Sequence, residues 1–189
     1  MRQPCESSAT PGEAESTLSR VVEVVRTYLE LRSPSQLRPC TVDDQAVHYR
    51  RRDDISVDEY RHFYRHVGDK YYWHDRNAWS DDELAAYLAS PRITVWELLV
   101  ANEPAGFFEL SQHDDGSVEI AYFGLTSAFI GRGLGKAMLT RAAQEAWALA
   151  PTRVWLHTCT LDSPHALPNY LARGFEETRK ETFSQEISA

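Results

Sequence analysis

The chain has 189 residues, 42% of them hydrophobic and 25% charged, enough apolar material for one domain with a real core. Its formal net charge of −8 argues against general affinity for nucleic acid, whose phosphates recruit Lys and Arg, and no apolar run approaches the ~20 residues of a membrane span. Cys5, Cys40 and Cys159 are scattered, odd in number and without metal-ligand spacing, and the N-terminus lacks the apolar stretch of a signal peptide; reduced thiols in the cytoplasm and no metal site are expected.

Residues 1–17, MRQPCESSATPGEAEST, offer almost nothing to bury and predict a disordered tail. Residues 18–40 are set apart as an extension and connector: the β-branched VVEVVRTYLEL (21–31) favours a strand around Thr27–Leu31, and RSPSQLRPCT links it onward. The domain proper is placed at 41–189 and opens with a strand within 45–53. A helix over 56–67 follows, with Ser56 as N-cap, Gly68 as stop, and Val57, Tyr60, Phe63 (or Tyr64) and Val67 at helical spacing. Ser80 caps a second helix over 80–89, which carries acids in its first turn. Strands at 93–101, 107–112 and 118–125, joined by turns at EPAG (103–106) and DDGS (114–117), predict an antiparallel meander. A glycine cluster at 131–135 then leads into a helix reaching about Leu149, with Leu134, Met138, Ala142, Ala146 and Leu149 as its buried stripe. A strand at 153–159 and a short helix begun by Ser163 and Pro164 precede Gly174-Phe175 and a last strand. The order is that of a mixed α/β fold: a meander, a βαβ crossover, then αβ.

Three readings compete for the glycines. A P-loop needs Gly five residues before Gly135, where Ile130 stands, and a hydroxyl where Ala137 stands. A G-x-G-x-x-G dinucleotide fingerprint fits Gly131 and Gly133 but meets Lys136 in its third place, and no acidic residue follows at the required distance. A tight strand-to-helix turn can instead cradle a pyrophosphate with successive backbone N–H groups, with Arg132 and Lys136 adding positive charge. An ordinary glycine-rich turn is the plain alternative.

The flanks favour the cradle. Ile130-Gly131-Arg132-Gly133-Leu134-Gly135 resembles the [Q/R]-x-x-G-x-[G/A] motif of the GNAT superfamily of acyl-CoA-dependent N-acyltransferases, with Ile130 in place of the leading Gln or Arg. SPHALPNYLARGF (163–175) is similar to the family's N-x-x-A-x-x-x-Y-x-x-x-G-F: Ala166, Tyr170, Gly174 and Phe175 fall in register, and Ser163 replaces the Asn. Pro168 inside that helix is expected to kink it. The resemblance covers roughly residues 45 to 185 and leaves out the first 40.

The resemblance implies a central mixed sheet in which an antiparallel meander is followed by a βαβ acyl-CoA-binding unit, with strands 118–125 and 153–159 splayed around the pantetheine. It places the cofactor contacts at the backbone of Phe123, Leu125 and Ser127, with the Leu125 N–H as candidate oxyanion donor. The pyrophosphate falls to Ile130, Gly131, Arg132, Gly133, Leu134, Gly135 and Lys136. It implies direct attack of an amine on the acetyl-CoA thioester within a ternary complex. Tyr170 matches the tyrosine that points at the sulfur and is the candidate general acid, since a phenol keeps its proton at neutral pH; a tyrosine packed on a helix face is the alternative. Glu119, six residues before Leu125, stands where some members place a general base acting through water; a solvated rim carboxylate is the alternative. Strand alternation is expected to put Glu119, Ala121 and Phe123 on one face. His157 is a candidate second base or substrate contact, and Asp162 and Ser163 are read as helix caps.

The acceptor is less legible. The segment 59–79 is dense in Tyr, His and Trp, and aromatic rings suit a cationic amine. Tyr72, Trp73 and His74 are taken as substrate-binding candidates with His157, flanked by Tyr71 and Trp79, and Asp75 is a candidate partner for an ammonium. The expectation is a cytoplasmic N-acetyltransferase using acetyl-CoA on an amine of a small molecule or peptide, with no nucleic acid and no membrane partner. The acceptor, the acyl length and the oligomeric state, a homodimer included, stay open. Two alternatives are a non-catalytic acyl-CoA-binding or regulatory module and a nucleotide-binding α/β domain.

Overall fold

The computed structural model describes residues 19–188, so the tail expected at 1–17 lies outside the described residues. Seven strands form one mixed sheet: β1 (Ser19–Leu31), β2 (Val47–Arg51), β3 (Ile93–Val100), β4 (Glu103–Gln112), β5 (Val118–Leu125), β6 (Val154–Cys159) and β7 (Glu176–Ser188). Four helices accompany them: α1 (Val57–Gly68), α2 (Asp81–Leu88), α3 (Leu134–Ala148) and α4 (Ala166–Ala172). The spatial order is β2-β3-β4-β5-β6-β1-β7. Every neighbouring pair is antiparallel except β5 and β6, which α3 joins in parallel as a βαβ unit needs a crossover. No helix among the described residues is long and apolar enough to cross a membrane.

Each sheet face has its own core. Leu29, Phe108, Leu110, Ile120, Met138 and Leu156 are among the residues packed on the α3 side, and Tyr60, Phe63, Tyr64, Val67, Leu84 and Phe107 fill the α1–α2 side. Covered on both faces, β4 is buried continuously from Ala105 to Leu110 instead of alternating with solvent.

The strand expected near Thr27–Leu31 extends back to Ser19, and residues 19–31 run inside the sheet between β6 and β7. Leu29 and Leu31 are fully buried there, which gives the segment the apolar partner it needs. EPAG is not a turn. The reversal occurs two residues earlier, at Ala101 (φ 51°) and Asn102 (φ 68°), a two-residue hairpin loop in left-handed conformation, so β4 starts at Glu103. Gly68 does not stop α1; it is the last helical residue, and its missing Cβ leaves room that Trp73 fills. The last helix starts at Ala166, not at Ser163, which with Pro164 belongs to the preceding turn. Pro168 is therefore its third residue, where the absent N–H had no intrahelical acceptor, and the expected kink has no cause.

Candidate functional site

The parallel pairing of β5 with β6 lasts two residues, Val118↔Val154 and Glu119↔Trp155, and stops. From Ile120 onward β5 has no strand partner on that side, so the sheet opens into a wedge of the kind the resemblance implies. Phe123 and Leu125 lie along this wedge and pack against the α3-side core. Across it stands Tyr170 on α4, 7% exposed, its ring 6.2 Å from Phe123 and 6.3 Å from Phe175. Burial, reinforced by the negative charge of Asp162, pushes the Tyr170 hydroxyl above its ordinary range, so it carries its proton at neutral pH.

Past Leu125 the chain makes a short turn at Ser127–Phe129 and enters the glycine cluster. The Ser127 hydroxyl accepts from Lys70 Nζ at 3.1 Å, which ties the loop to the segment after α1. Gly131 (φ 83°) and Gly133 (φ 78°) adopt left-handed backbone, and a Cβ at either would meet nothing within 4 Å. Left-handed backbone accounts for glycine there, and the space beside it is open. Among the described residues, the N–H groups of Gly131, Arg132, Gly133, Leu134 and Gly135 donate to no protein acceptor. They lead into the positive end of α3, a 15-residue helix, and such an arrangement can hold a pyrophosphate. Ile130 and Lys136 are exposed, Leu134 is buried as an anchor, and Arg132 lies 4.8 Å over the Phe129 ring.

Glu119 does not share a face with Phe123. Glu109 opposes Tyr122 while Leu110 opposes Ile120, so Ala121 is an extra residue bulged out of β5. The bulge resets the alternation: Phe123 and Leu125 turn toward α3, while Glu119 lies with Tyr122 on the α1–α2 side. There Glu119 Oε2 lies 3.0 Å from His113 Nε2, and Oε1 lies 3.9 Å from His157 Nε2. Burial raises the Glu119 pKa, and His113 opposes that rise by hydrogen bonding and charge. Burial, with the charge of Arg26, lowers that of His157.

The aromatic segment divides. Trp73 packs within the α1–α2 core, 5.1 Å from Tyr122 and 5.7 Å from Tyr64. Tyr72, in left-handed backbone at φ 58°, turns the chain, and its ring stands 6.3 Å from that of the exposed His74. The adjacent Asp75 accepts from Tyr122 Oη at 3.4 Å. The four substrate-binding candidates thus do not form one aromatic box. His157 adjoins Glu119, while Tyr72 and His74 lie on the segment after α1.

The least anticipated feature is Glu109, fully buried in the middle of β4. Tyr60 Oη and Tyr87 Oη each donate to it at 2.5 Å, and Arg76 Nη2 stands at 3.5 Å. Arg76 itself lies over the rings of both Trp79 and Tyr87, 4.0 and 4.2 Å from their centres. The signal was present as a lone acid within FFEL, an apolar strand. Its partners come from three other segments, and no spacing reveals them.

Residues 48–175 match the acetyltransferase (GNAT) family. Among solved structures, a GCN5-related N-acetyltransferase from Kribbella flavida is similar at 18% identity and TM-score 0.59, covering 90% of this chain and 59% of its own. A Bacillus subtilis acetyltransferase solved in complex with CoA is similar at 21% identity and TM-score 0.51, with 69% of this chain and 75% of that chain covered. An aminoglycoside acetyltransferase from an uncultured soil metagenomic sample, in complex with sisomicin, is similar at 14% identity and TM-score 0.57, covering 69% of this chain and 88% of its own. At these identities the likeness shows the fold, and the chain spans 59% of the length of the Kribbella flavida protein. No curated protein matches the sequence. The family match runs from β2 to the residue before β7, more than half of the chain, and on that ground this protein belongs to the acetyltransferase (GNAT) family.

Proposed function

We propose that the chain transfers an acetyl group from acetyl-CoA to a primary amine by direct attack within a ternary complex. The observation that carries this reading is the conjunction of the β5–β6 wedge, the unpaired N–H groups of Gly131–Gly135 at its mouth, and a protonated Tyr170 across it. The family as a whole uses acyl-CoA thioesters, and acetyl-CoA would supply the activated acyl carbon. The glycine loop would hold the pyrophosphate, and the β5 backbone at Phe123 and Leu125 would receive the pantetheine, with the Leu125 N–H facing the developing oxyanion. Tyr170 would give its proton to the departing sulfur, and Glu119 would collect the proton of the incoming ammonium, directly or through water.

The acceptor is proposed to be a small-molecule amine entering on the α1–α2 side, past Asp75 and His157. Sisomicin, bound in one of the similar structures, is a reasonable first member of an amine panel. The test is calorimetric titration with CoA, followed by thiol release from acetyl-CoA across the panel. CoA binding with thiol release from at least one amine supports the reading. Binding without release from any amine leaves a non-catalytic acyl-CoA module, and preference for ATP or NAD over CoA leaves a nucleotide-binding domain.

A further inference from the structure

We propose that His113 is the proton exit of Glu119, carrying the acceptor's proton from the partly enclosed carboxylate to solvent. This rests on the reading of Glu119 as the base. The geometry comes from the β4–β5 hairpin. Ser111 stands opposite Glu119, and His113 lies two residues further along on the same face, a diagonal neighbour. Its Nε2 reaches Glu119 Oε2 at 3.0 Å, and exposure rises from 14% at the Glu119 side chain to 39% at His113. The imidazole is held in place. The His113 N–H donates to the Ser117 carbonyl at 2.9 Å, its own carbonyl accepts from Gly116 at 3.0 Å, and its ring lies 5.4 Å from that of Trp155. Trp155 is fixed in turn by donating from Nε1 to Ser117 Oγ at 3.1 Å.

The other neighbours of Glu119 do not offer that path. Glu109 is buried and committed to Tyr60, Tyr87 and Arg76. Arg76 is stacked among aromatic rings and gives up no proton. Tyr87 donates inward to Glu109. His157 stands further away at 3.9 Å, on the side of Arg26 and Tyr28. Glu119 thus lies between two partly exposed imidazoles, 36% at His157 and 39% at His113, and only His113 is within hydrogen-bond distance of it.

The step balances. The ammonium loses a proton to the Glu119 carboxylate and becomes the free amine. The resulting carboxylic acid passes that proton to Nε2 of His113 in its Nδ1–H tautomer. The imidazolium then releases its Nδ1 proton to water, and solvent exchange at the exposed ring resets the tautomer. Burial raises the Glu119 pKa, which favours the protonated carboxyl that the first transfer produces.

Two measurements test this. In the free protein, the 15N resonance of the His113 Nε2 should move in Glu119→Gln, as loss of the carboxylate that shares its hydrogen bond requires. An unmoved resonance overturns the proposal, with or without a known acceptor. With the panel amine that gives the fastest thiol release, His113→Gln keeps a hydrogen bond to the carboxylate but cannot carry a proton. At low buffer its kcat/KM should fall toward the ~10²-fold loss of a missing acid–base partner. The KM for acetyl-CoA should hold, and free imidazole should restore His113→Ala but not Glu119→Gln. Wild-type kinetics in His113→Gln beside a slow Glu119→Gln overturns the relay alone. Wild-type kinetics in Glu119→Gln overturns the base assignment beneath it.

Discussion

The Tyr170 hydroxyl separates packing from chemistry at a single atom. Tyr170→Phe keeps the ring between Phe123 and Phe175, so stability should change by only about 1 kcal/mol. If the hydroxyl protonates the thiolate, kcat should fall by roughly 10²–10⁴ with the KM for acetyl-CoA nearly unchanged, read by steady-state thiol release. The loss should shrink with an acyl donor whose thiol leaves more easily. Gly133→Val tests the loop. Its Cβ would enter open space, so folding should suffer only the strain of left-handed backbone, about 1–2 kcal/mol. CoA binding by calorimetry should be lost, because that space is where phosphates would approach the N–H groups; unchanged affinity would remove the loop from the site. Glu119 makes a pH prediction. It must be ionised to accept a proton, and burial raises its pKa above the ordinary 4.5. The acidic limb of kcat/KM should therefore lie above that pH, with activity rising as pH rises, and Glu119→Gln should erase the limb. The positions of Tyr170 on α4 and of the glycines before α3 were legible because short motifs fix their types and spacing. The face of Glu119 was not, because the bulge at Ala121 depends on how β4 pairs, and nothing in VEIAYFGL marks it.

Helix α1 shows what local sequence fixes well. Ser56 Oγ accepts from the Glu59 N–H at 3.3 Å, the Ser56 N–H donates to Glu59 Oε2 at 3.0 Å, and Arg52 Nη2 donates to Glu59 Oε1 at 2.6 Å. The Ser56 backbone N–H first, then Arg52, lowers the Glu59 pKa from 4.5 to about 2. A depressed carboxylate contributes stability that is present above its unfolded value and is lost as pH falls through the folded one. Glu59→Gln should therefore destabilise at neutral pH and match the parent near pH 2 in urea melts compared between 4.5 and 2. With Glu59 48% exposed, the difference should stay under about 1 kcal/mol. Strand β1 shows the limit of local reading. Its β-branched run announces a strand, but its neighbours lie at the far end of the sequence: the Val25 N–H donates to Thr160 Oγ1 across 135 residues. Leu29→Ala, at a fully buried position between β6 and β7, should cost about 2–5 kcal/mol in chemical denaturation. A cost near zero would make β1 an ornament on a sheet that stands without it.

At the scale of the whole molecule, chain order and sheet order disagree. The meander of β3, β4 and β5 and the α3 crossover follow the sequence, and hydrophobic pattern was enough to read their order, though not the β3–β4 turn at Ala101–Asn102. The placement of the first strand between the sixth and the seventh follows from long-range burial, which no window of sequence contains. Folding should be slow on this account, since β1 has no partner until residues 154 onward are in place. The same pairing sets Ser19 directly opposite Ser188, so the two ends of the sheet-forming chain meet across one ladder. A circular permutant could exploit that. Joining 188 to 19 through an Asn-Gly loop and opening the chain between Ala101 and Asn102 would turn the most distant strand pair into a hairpin and cut only an exposed turn. Such a permutant should keep its circular dichroism and CoA affinity while refolding faster than the parent in stopped-flow experiments. The tertiary structure is in this sense a ring, and where it is cut sets the pace of folding without altering the wedge that the ring encloses.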